Sequence, residues 1–193
     1  MKQSNMKNLT DKWFEDCEHL FVKHLKEEKI TKALEIGSYE GASTCWLLEN
    51  CLGGSDCTIT CIDSWEGGEE HSDKNMEAVY ERFLANVKEF ENKVEISKGY
   101  SFDRLVSIQD RKSYYDFIYI DGGHTAKDVI GDAVLAFPLL KSGGTMAFDD
   151  YVWCYGNKPN ADVPKHAIDL FLEAYASEIV VMHKEQQVWI KKK

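Results

Sequence analysis

The chain has 193 residues, of which 44% are hydrophobic, and its formal net charge is −10. This length suits one buried core, so we expect a single domain over 1–193, with a leader helix in 1–28 and the core in 30–193. Because affinity for a phosphate backbone requires positive charge, the acidic balance argues against nucleic acid and favours a small-molecule partner.

The composition also bounds where the protein works. The sequence has no apolar run of membrane-spanning length, and its N-terminus, Met1 to Leu9, lacks the apolar stretch of a secretion signal. Its six cysteines show neither a CxxC pair nor the spacing of a zinc site. We therefore expect reduced, mostly buried thiols and a soluble, cytoplasmic protein without membrane contacts.

Strand-like and helical stretches alternate after an amphipathic leader helix, for which Thr10 is a candidate N-cap. In chain order, the predicted elements are strand 32–37, helix 41–50, strand 58–63, helix 74–90, strand 93–98, helix 101–108, strand 115–121, helix 125–140, strand 144–149, helix 164–176, strand 178–183 and strand 186–191. Five strands separated by helices predict a mostly parallel sheet covered on both faces. The short link Lys184-Glu185 leaves no room for a crossover, so one of the last two strands must run antiparallel. The predicted fold is an α/β sandwich with a seven-stranded, mostly parallel sheet.

The first strand runs into a glycine turn, Gly37-x-x-x-Gly41, that opens onto the next helix. Glycine permits positive φ and close backbone approach, and the free N–H groups of a helix start can hold an anionic group. The spacing matches neither the GxGxxG of dinucleotide folds nor the GxxxxGK[ST] of P-loops. Two glycines in a turn are often structural, so the ligand hypothesis needs a second feature.

That second feature is Asp63, which ends the next strand about 20 residues beyond the glycine turn. An acid at this place can accept both hydroxyls of a ribose, and it can equally form a turn or cap the next segment of the chain. Together, the turn and the acid predict an adenosyl ligand. Trp65 lies two residues further on and either stacks on an adenine or packs in the core.

These motifs resemble those of the class I S-adenosylmethionine-dependent methyltransferases, particularly the cation-dependent O-methyltransferases typified by catechol O-methyltransferase, over roughly residues 30–150. The resemblance implies a Rossmann-like fold and S-adenosylmethionine as cofactor. It implies that Tyr39 and Ser43 meet the carboxylate of the cofactor, that Asp63 meets its ribose, and that Gly99-Tyr-Ser101 lies beside its adenine. The full set of implied cofactor residues is Glu35, Gly37, Ser38, Tyr39, Gly41, Ser43, Asp63, Ser64, Trp65, Gly99, Ser101 and Asp121. Ser101 also suits a helix N-cap.

Two further strands end in acids at the same edge of the predicted sheet, namely Asp121 and the pair Asp149 and Asp150. Carboxylates brought together repel one another, and a hard divalent cation with oxygen ligands removes that conflict. The resemblance implies that these three acids hold a cation such as Mg²⁺, although that family carries Asp-Asn more often than Asp-Asp at the last pair. The alternative is that Asp149 and Asp150 are loop caps exposed to water.

His124 stands three residues beyond Asp121, where some members of the resembling family carry a catalytic lysine. A neutral imidazole can accept the proton of a substrate hydroxyl near pH 7, which makes His124 and Asp121 the candidate catalytic residues. The alternative for His124 is a turn histidine that supports Asp121. The predicted reaction is methyl transfer to a hydroxyl oxygen of a small-molecule acceptor.

Rival functions stay open at this point. A non-catalytic or metal-independent adenosyl-ligand-binding protein would keep the glycine turn and Asp63, and a methyltransferase acting on RNA or protein would differ in its acceptor surface. A dehydrogenase would need the GxGxxG turn that the chain lacks.

The acceptor side is expected in two loops, Glu66 to Asn75 and Tyr151 to Val163. His71 in the first loop either faces substrate or is solvated. In the second loop, the aromatic residues are either an acceptor wall or packing, and they are Tyr151, Trp153 and Tyr155. The leader helix either mediates a homodimer or covers the sheet.

Overall fold

A single seven-stranded sheet organises the computed structural model, which describes residues 8–68, 71–154 and 162–193. The helices are α1 Trp13–Leu25, α2 Ala42–Asn50, α3 Met76–Val87, α4 Ser101–Ser107, α5 Ala126–Ala136 and α6 Pro164–Ala174. The strands are β1 Lys32–Ile36, β2 Thr58–Asp63, β3 Val94–Lys98, β4 Tyr115–Ile120, β5 Leu140–Phe148, β6 Ile179–Lys184 and β7 Val188–Lys192. Short 3₁₀ turns follow α3 and α5.

The strand order is β3-β2-β1-β4-β5-β7-β6. The first five strands pair in parallel, whereas β7 runs antiparallel to both of its neighbours. This confirms the predicted Rossmann-like sheet with one antiparallel strand near the C-terminus. The chain order reverses between β1 and β4, and ligands of open α/β sheets bind at the carboxyl ends of strands at such a point.

Two predicted boundaries shift for identifiable reasons. The helix predicted over 125–140 ends at Ala136, because Pro138 has no N–H to continue the α-helical ladder and forms a 3₁₀ turn instead. The strand predicted over 144–149 begins earlier, at Leu140, which pairs with Tyr115 across an irregularity in register. Gly143 lies in that irregular stretch and has a φ of +77°. The carboxyl end of the strand, which carries the acids, stays where it was predicted.

The sheet separates two apolar layers. One face packs against α1, α2 and α3, and the other packs against α4, α5 and α6. The leader helix is held by Phe21, whose ring is fully buried and lies edge-on to Tyr119 and Trp189 at centroid distances of 5.0 and 5.2 Å. α1 therefore covers part of the sheet. The homodimer that this helix was also predicted to mediate stays a prediction.

Two further observations concern composition. The six cysteines all lie in the described part of the chain and form no disulfide, and four of them are buried, namely Cys17, Cys45, Cys57 and Cys61. Among the residues that the structure describes, no helix combines the length and apolar character needed to cross a bilayer.

Because Phe21 fills the layer between α1 and the sheet, Phe21→Ala should lower the free energy of unfolding by about 3–5 kcal/mol. The neighbouring Val22→Ala, at a side chain that is 41% exposed, should change it by less than about 0.5 kcal/mol. Urea denaturation followed by circular dichroism measures both. Equal, small effects would show that α1 is not part of the cooperative core.

Candidate active site at the carboxyl edge of the sheet

Residues just beyond four parallel strands are fixed in space by extensions of the sheet's hydrogen bonding. The N–H of Gly37 donates to Ile62 O at 2.8 Å, and the N–H of Asp121 donates to Ile36 O at 2.8 Å. In the same way, the backbone N–H of Asp149 donates to the carbonyl oxygen of Ile120 at 2.9 Å. The predicted site residues of β1, β2, β4 and β5 thus share one rigid edge.

The glycine turn between β1 and α2 touches the end of β4. Gly37 has a φ of +85°, and a Cβ atom there would lie 1.8 Å from the carbonyl oxygen of Asp121. Gly41 has a φ of +84°, and its Cβ would lie 3.0 Å from the ring of Phe83. Both positions therefore require glycine, for backbone conformation and for space. The turn forms a cradle with bare backbone at the crevice.

Glu35 lies beneath this turn. Its carboxylate is fully buried and accepts hydrogen bonds from the hydroxyls of Ser38 and Ser43, both at 2.6 Å, and from that of Thr44. Burial raises the pKa of Glu35, whereas the three donated hydrogen bonds oppose that rise. Glu35 and Ser43 thus hold the turn from below. The contact predicted between Ser43 and a cofactor carboxylate stays a prediction.

Asp63 joins the turn to the end of β2. Its Oδ2 accepts the N–H groups of Ser38 at 2.8 Å and of Tyr39 at 2.9 Å, and its Oδ1 accepts that of Trp65 at 2.6 Å. The Trp65 side chain is 4% exposed, and its ring packs on that of Phe83 at a centroid distance of 4.9 Å. Of the two predicted alternatives for Trp65, the structure shows packing in the core. Asp63 therefore has a structural role at the turn, and its predicted contact with a ribose stays a prediction.

Neighbouring residues complete this side of the site. The hydroxyl oxygen of Ser64 accepts the N–H of Glu66 at 3.1 Å. The hydroxyl of Tyr39 donates to Asp11 at 2.8 Å, and its ring stacks on His71 at a centroid distance of 5.1 Å. Trp13 of α1 lies 5.2 Å from the same ring. The leader segment and the loop after β2 therefore cover Tyr39, and His71 has an aromatic contact rather than a purely solvated position.

Acids from β4 and β5 meet His124 at the other side of the turn. The Nε2 atom of His124 lies 2.9 Å from Asp150 Oδ2 and 3.8 Å from Asp121 Oδ1, and these side chains offer ligand atoms within 4.8 Å of one another. Burial raises the pKa of Asp121 well above its usual range, and the nearby charge of Asp149 raises it further. Two carboxylates and one imidazole at this spacing have the chemistry of a divalent-cation site.

Asp149 lies beside this group, with both of its oxygens engaged. Its Oδ1 accepts the backbone N–H of Asp150 at 2.7 Å, and its Oδ2 accepts the hydroxyl of Tyr119. Burial and the charge of Asp150 raise the pKa of Asp149. Tyr119 in turn lies 3.4 Å from the amide nitrogen of Gln187. Asp149 and Asp150 are therefore not loop caps exposed only to water, which was the predicted alternative. Asp149 accepts a hydrogen bond from Tyr119, and Asp150 contacts His124.

The aromatic residues after β5 contact different parts of the fold. The ring of Trp153 lies 4.7 Å from that of His124, at the acid centre. The hydroxyl of Tyr151 is 2.9 Å from Asp169 Oδ1 and accepts from Lys165 Nζ at 2.8 Å, which directs it to α6. Tyr155 lies outside the described residues. Of the two described members of the predicted acceptor wall, Tyr151 and Trp153, it is Trp153 that lies adjacent to the candidate catalytic residue His124.

The end of the crevice near β3 contains a residue that the sequence analysis missed. Gly99 has a φ of +143°, and Ser101 begins α4 without making a side-chain cap, since the N-cap position is Tyr100. Asp132 of α5 is 2% exposed, and a Cβ on Gly122 would lie 3.3 Å from its Oδ2 atom. Burial raises the pKa of Asp132 to about 7. The sequence offered one signal for Asp132, namely that it is an acid on the otherwise apolar face of the helix predicted over 125–140.

Comparison with known proteins gives this arrangement a family. Residues 34–151 match the family model described as "Methyltransferase domain", and the chain therefore belongs to that methyltransferase family. The family resemblance predicted from the glycine turn and Asp63 is confirmed. The chain is 29% identical over 124 residues to an uncharacterized protein of Acanthamoeba polyphaga mimivirus, covering 61% of this chain and 50% of that protein. It thus spans about half the length of this curated relative.

Solved structures share the fold. The O-methyltransferase TomG from Streptomyces achromogenes, involved in tomaymycin synthesis and solved with SAM, matches with a TM-score of 0.68 at 18% identity, over 96% of this chain and 82% of that one. The MycE methyltransferase of the mycinamycin biosynthetic pathway, solved with Mg and SAH, matches with a TM-score of 0.60 at 17% identity, over 96% of this chain and 51% of that one. At these identities the similarity establishes the fold.

The buried Asp132 should make stability depend on pH. Its pKa is about 7 in the fold and lower when unfolded, so the unfolded chain releases this proton first and stability falls as pH rises towards 7. Asp132→Asn removes that proton release. The melting temperature of the variant relative to the wild type should therefore be higher at pH 8 than at pH 5. A pH-independent difference in thermal melts would contradict this assignment.

Proposed function

We propose that this chain is an S-adenosylmethionine-dependent methyltransferase that transfers a methyl group to a hydroxyl oxygen of a small molecule with the help of a divalent cation. The observation that carries the proposal is the contact between the glycine turn and the end of β4, where a Cβ on Gly37 would lie 1.8 Å from the carbonyl oxygen of Asp121. A ligand held by the turn is thereby adjacent to the acids and His124. Two proteins of the same fold support this pairing of cofactor and cation, since TomG was solved with SAM and MycE with Mg and SAH.

The cradle fits the methionine end of the cofactor. α2 begins at Ala42, directly after the turn, so its free N–H groups can receive a carboxylate together with Tyr39. Asp63 would accept the ribose hydroxyls, and Gly99 and Ser101 would lie at the adenine. The cofactor supplies a methyl group already activated on a positively charged sulfur, so the protein's part is to align donor and acceptor.

The acid centre fits a divalent cation because its donor set is oxygen-rich and brings several carboxylates close together. Asp121 and Asp150 would hold the ion, with Asp149 beside them as the third acid of the proposed set. Such an ion supplies positive charge that lowers the pKa of an acceptor hydroxyl. Burial raises the pKa values of Asp121 and Asp149, and the charges of the neighbouring acids raise them further; a cation would relieve that second contribution.

His124 is the residue proposed to take the acceptor's proton. Its Nε2 contact with Asp150 favours a protonated imidazole after transfer, since a carboxylate stabilises the positive charge. The adjacent ring of Trp153 would face the acceptor, which favours an aromatic or otherwise flat hydroxyl compound. The net charge of −10 disfavours RNA as acceptor.

The proposal is tested first by calorimetry with S-adenosylhomocysteine, the demethylated product. The wild type should bind it, and Asp63→Ala should weaken binding by about tenfold or more, since hydrogen bonds to a charged group contribute about 1.5–3 kcal/mol. Asp103→Ala, at an exposed residue of α4, is the matched control and should bind as the wild type. Absence of heat with the wild type would refute the proposed function, and full affinity in Asp63→Ala would remove only the ribose contact.

The roles of the cation and of His124 are separated by titrating Mg²⁺ into the protein saturated with S-adenosylhomocysteine. Asp121→Asn should weaken Mg²⁺ binding by about tenfold or more, because it removes a charged oxygen ligand. If His124 is the base, His124→Ala should leave Mg²⁺ affinity unchanged and slow methyl transfer to a panel of catechols, phenols and sugars by about 10²-fold.

Two results would revise this assignment. Weaker Mg²⁺ binding in His124→Ala would make the imidazole a ligand, as its position within 4.8 Å of both acids allows. Methyl transfer that is indifferent to a chelator, and that Mg²⁺ does not restore after chelation, would exclude a catalytic cation.

A further inference from the structure

Glu40 is a buried acid inside the glycine turn, and none of the roles proposed for the cofactor or the cation uses it. It is 1% exposed, and its Oε1 accepts the Nε–H of Arg82 on α3 at 2.5 Å. The same carboxylate accepts two hydrogen bonds from Thr10 in the leader segment, one from the backbone N–H and one from the hydroxyl, both at 2.6 Å. The turn is therefore attached to a segment that lies 30 residues earlier in the chain.

Asn86 of α3 makes a second attachment between the leader segment and the turn. It is 5% exposed, and its Oδ1 accepts the N–H of Asn8 at 2.7 Å. Its Nδ2 donates to the carbonyl oxygen of Asn8 at 3.2 Å and to that of Glu40 at 2.9 Å. Asn8 and Thr10 are themselves exposed, so the leader segment is attached here by hydrogen bonds, which exchange for water at a small net cost.

The leader segment also contacts Tyr39, the residue of the turn that precedes Glu40. Asp11 accepts the hydroxyl of Tyr39 at 2.8 Å and pairs with Lys74 at 3.0 Å, and the ring of Trp13 lies 5.2 Å from that of Tyr39. Tyr39 has a φ of +47°, a conformation that a residue other than glycine keeps only when its surroundings hold it. The contacts of the leader segment on Tyr39 and Glu40 supply such a hold.

We propose that residues 8–13 form a strap that docks on Glu40 and Asn86 and holds the glycine turn in its ligand-binding conformation. Strap docking and cofactor binding then stabilise one another, because a coupling between two sites is reciprocal. This inference rests on the proposed function, since it needs a ligand at the turn. Glu40 is a positioning residue in this arrangement, because its carboxylate points to the strap and to α3 and acts on the ligand through the backbone of the turn.

Hydrogen–deuterium exchange of the wild type, followed by mass spectrometry, tests this coupling, because the N–H groups of Asn8 and Thr10 are donors in the strap contacts. Saturation with S-adenosylhomocysteine should slow exchange in the peptide that contains residues 8–13 by about fivefold or more. Strand β6, at the far edge of the sheet, is the internal reference, and its exchange should not change.

Variants at Thr10 test the reciprocal effect. Thr10→Pro removes both donors that the strap gives to Glu40, whereas Thr10→Ser keeps both. Thr10→Pro should therefore weaken the binding of S-adenosylhomocysteine in calorimetry by about fivefold or more, and Thr10→Ser should bind it as the wild type does. Asp16→Asn, at an exposed residue of α1, is the second control and should also keep the wild-type affinity.

The two measurements must agree, because reciprocity requires both effects. If the wild type binds S-adenosylhomocysteine and exchange in residues 8–13 stays unchanged, the inference is overturned while the proposed function stands. That holds even when Thr10→Pro binds more weakly, since the substitution then distorts the turn by itself. Wild-type affinity in Thr10→Pro would overturn the inference as well. If the wild type does not bind the compound, the proposed function and this inference fail together.

Discussion

The contact between the turn after β1 and the residue after β4 is the constraint on which the site depends. A Cβ at Gly37 would lie 1.8 Å from the carbonyl oxygen of Asp121, so the two segments meet with no room for a side chain. Because Asp121 also donates its N–H to Ile36, the contact is continuous with the sheet and cannot open without breaking strand pairing. The glycine turn and the acid centre are therefore held in one relative position, which suits a reaction that relies on alignment.

Carboxylates that accept several hydrogen bonds build the rest of the site. The buried carboxylate of Glu35 accepts hydrogen bonds from three hydroxyls under the glycine turn, and the partly exposed carboxylate of Asp63 accepts three backbone N–H groups beside it. Each such acid costs desolvation energy and is compensated only when its hydrogen bonds are made. At the carboxyl edge, these hydrogen bonds offset the desolvation cost and fix the positions of the groups that face the crevice.

Much of this arrangement was predictable from the sequence, because it depends on local pattern. The apolar runs that end in Asp63, Asp121 and Asp149 predicted parallel strands with acids at one edge, and the short link before the last strand predicted its antiparallel direction. Local patterns could not predict contacts between side chains that are far apart in the sequence. Tyr119 of β4 reaches Asp149 after β5 only because the two strands pair, and Asp132 is buried only because of how α5 packs in the fold.

The antiparallel strand illustrates how such distant pairing reaches the site. Trp189 of β7 donates its indole N–H to Gln187 at 2.9 Å, Gln187 lies 3.4 Å from the Tyr119 hydroxyl, and Tyr119 donates to Asp149. The chain of hydrogen bonds runs in one direction, from the apolar layer under α1 to the acid centre. Each donor in it is fixed by the next acceptor, so the orientation of the Asp149 carboxylate is set by the C-terminal hairpin as much as by β5. The last strand therefore reaches the acid centre through this chain of hydrogen bonds.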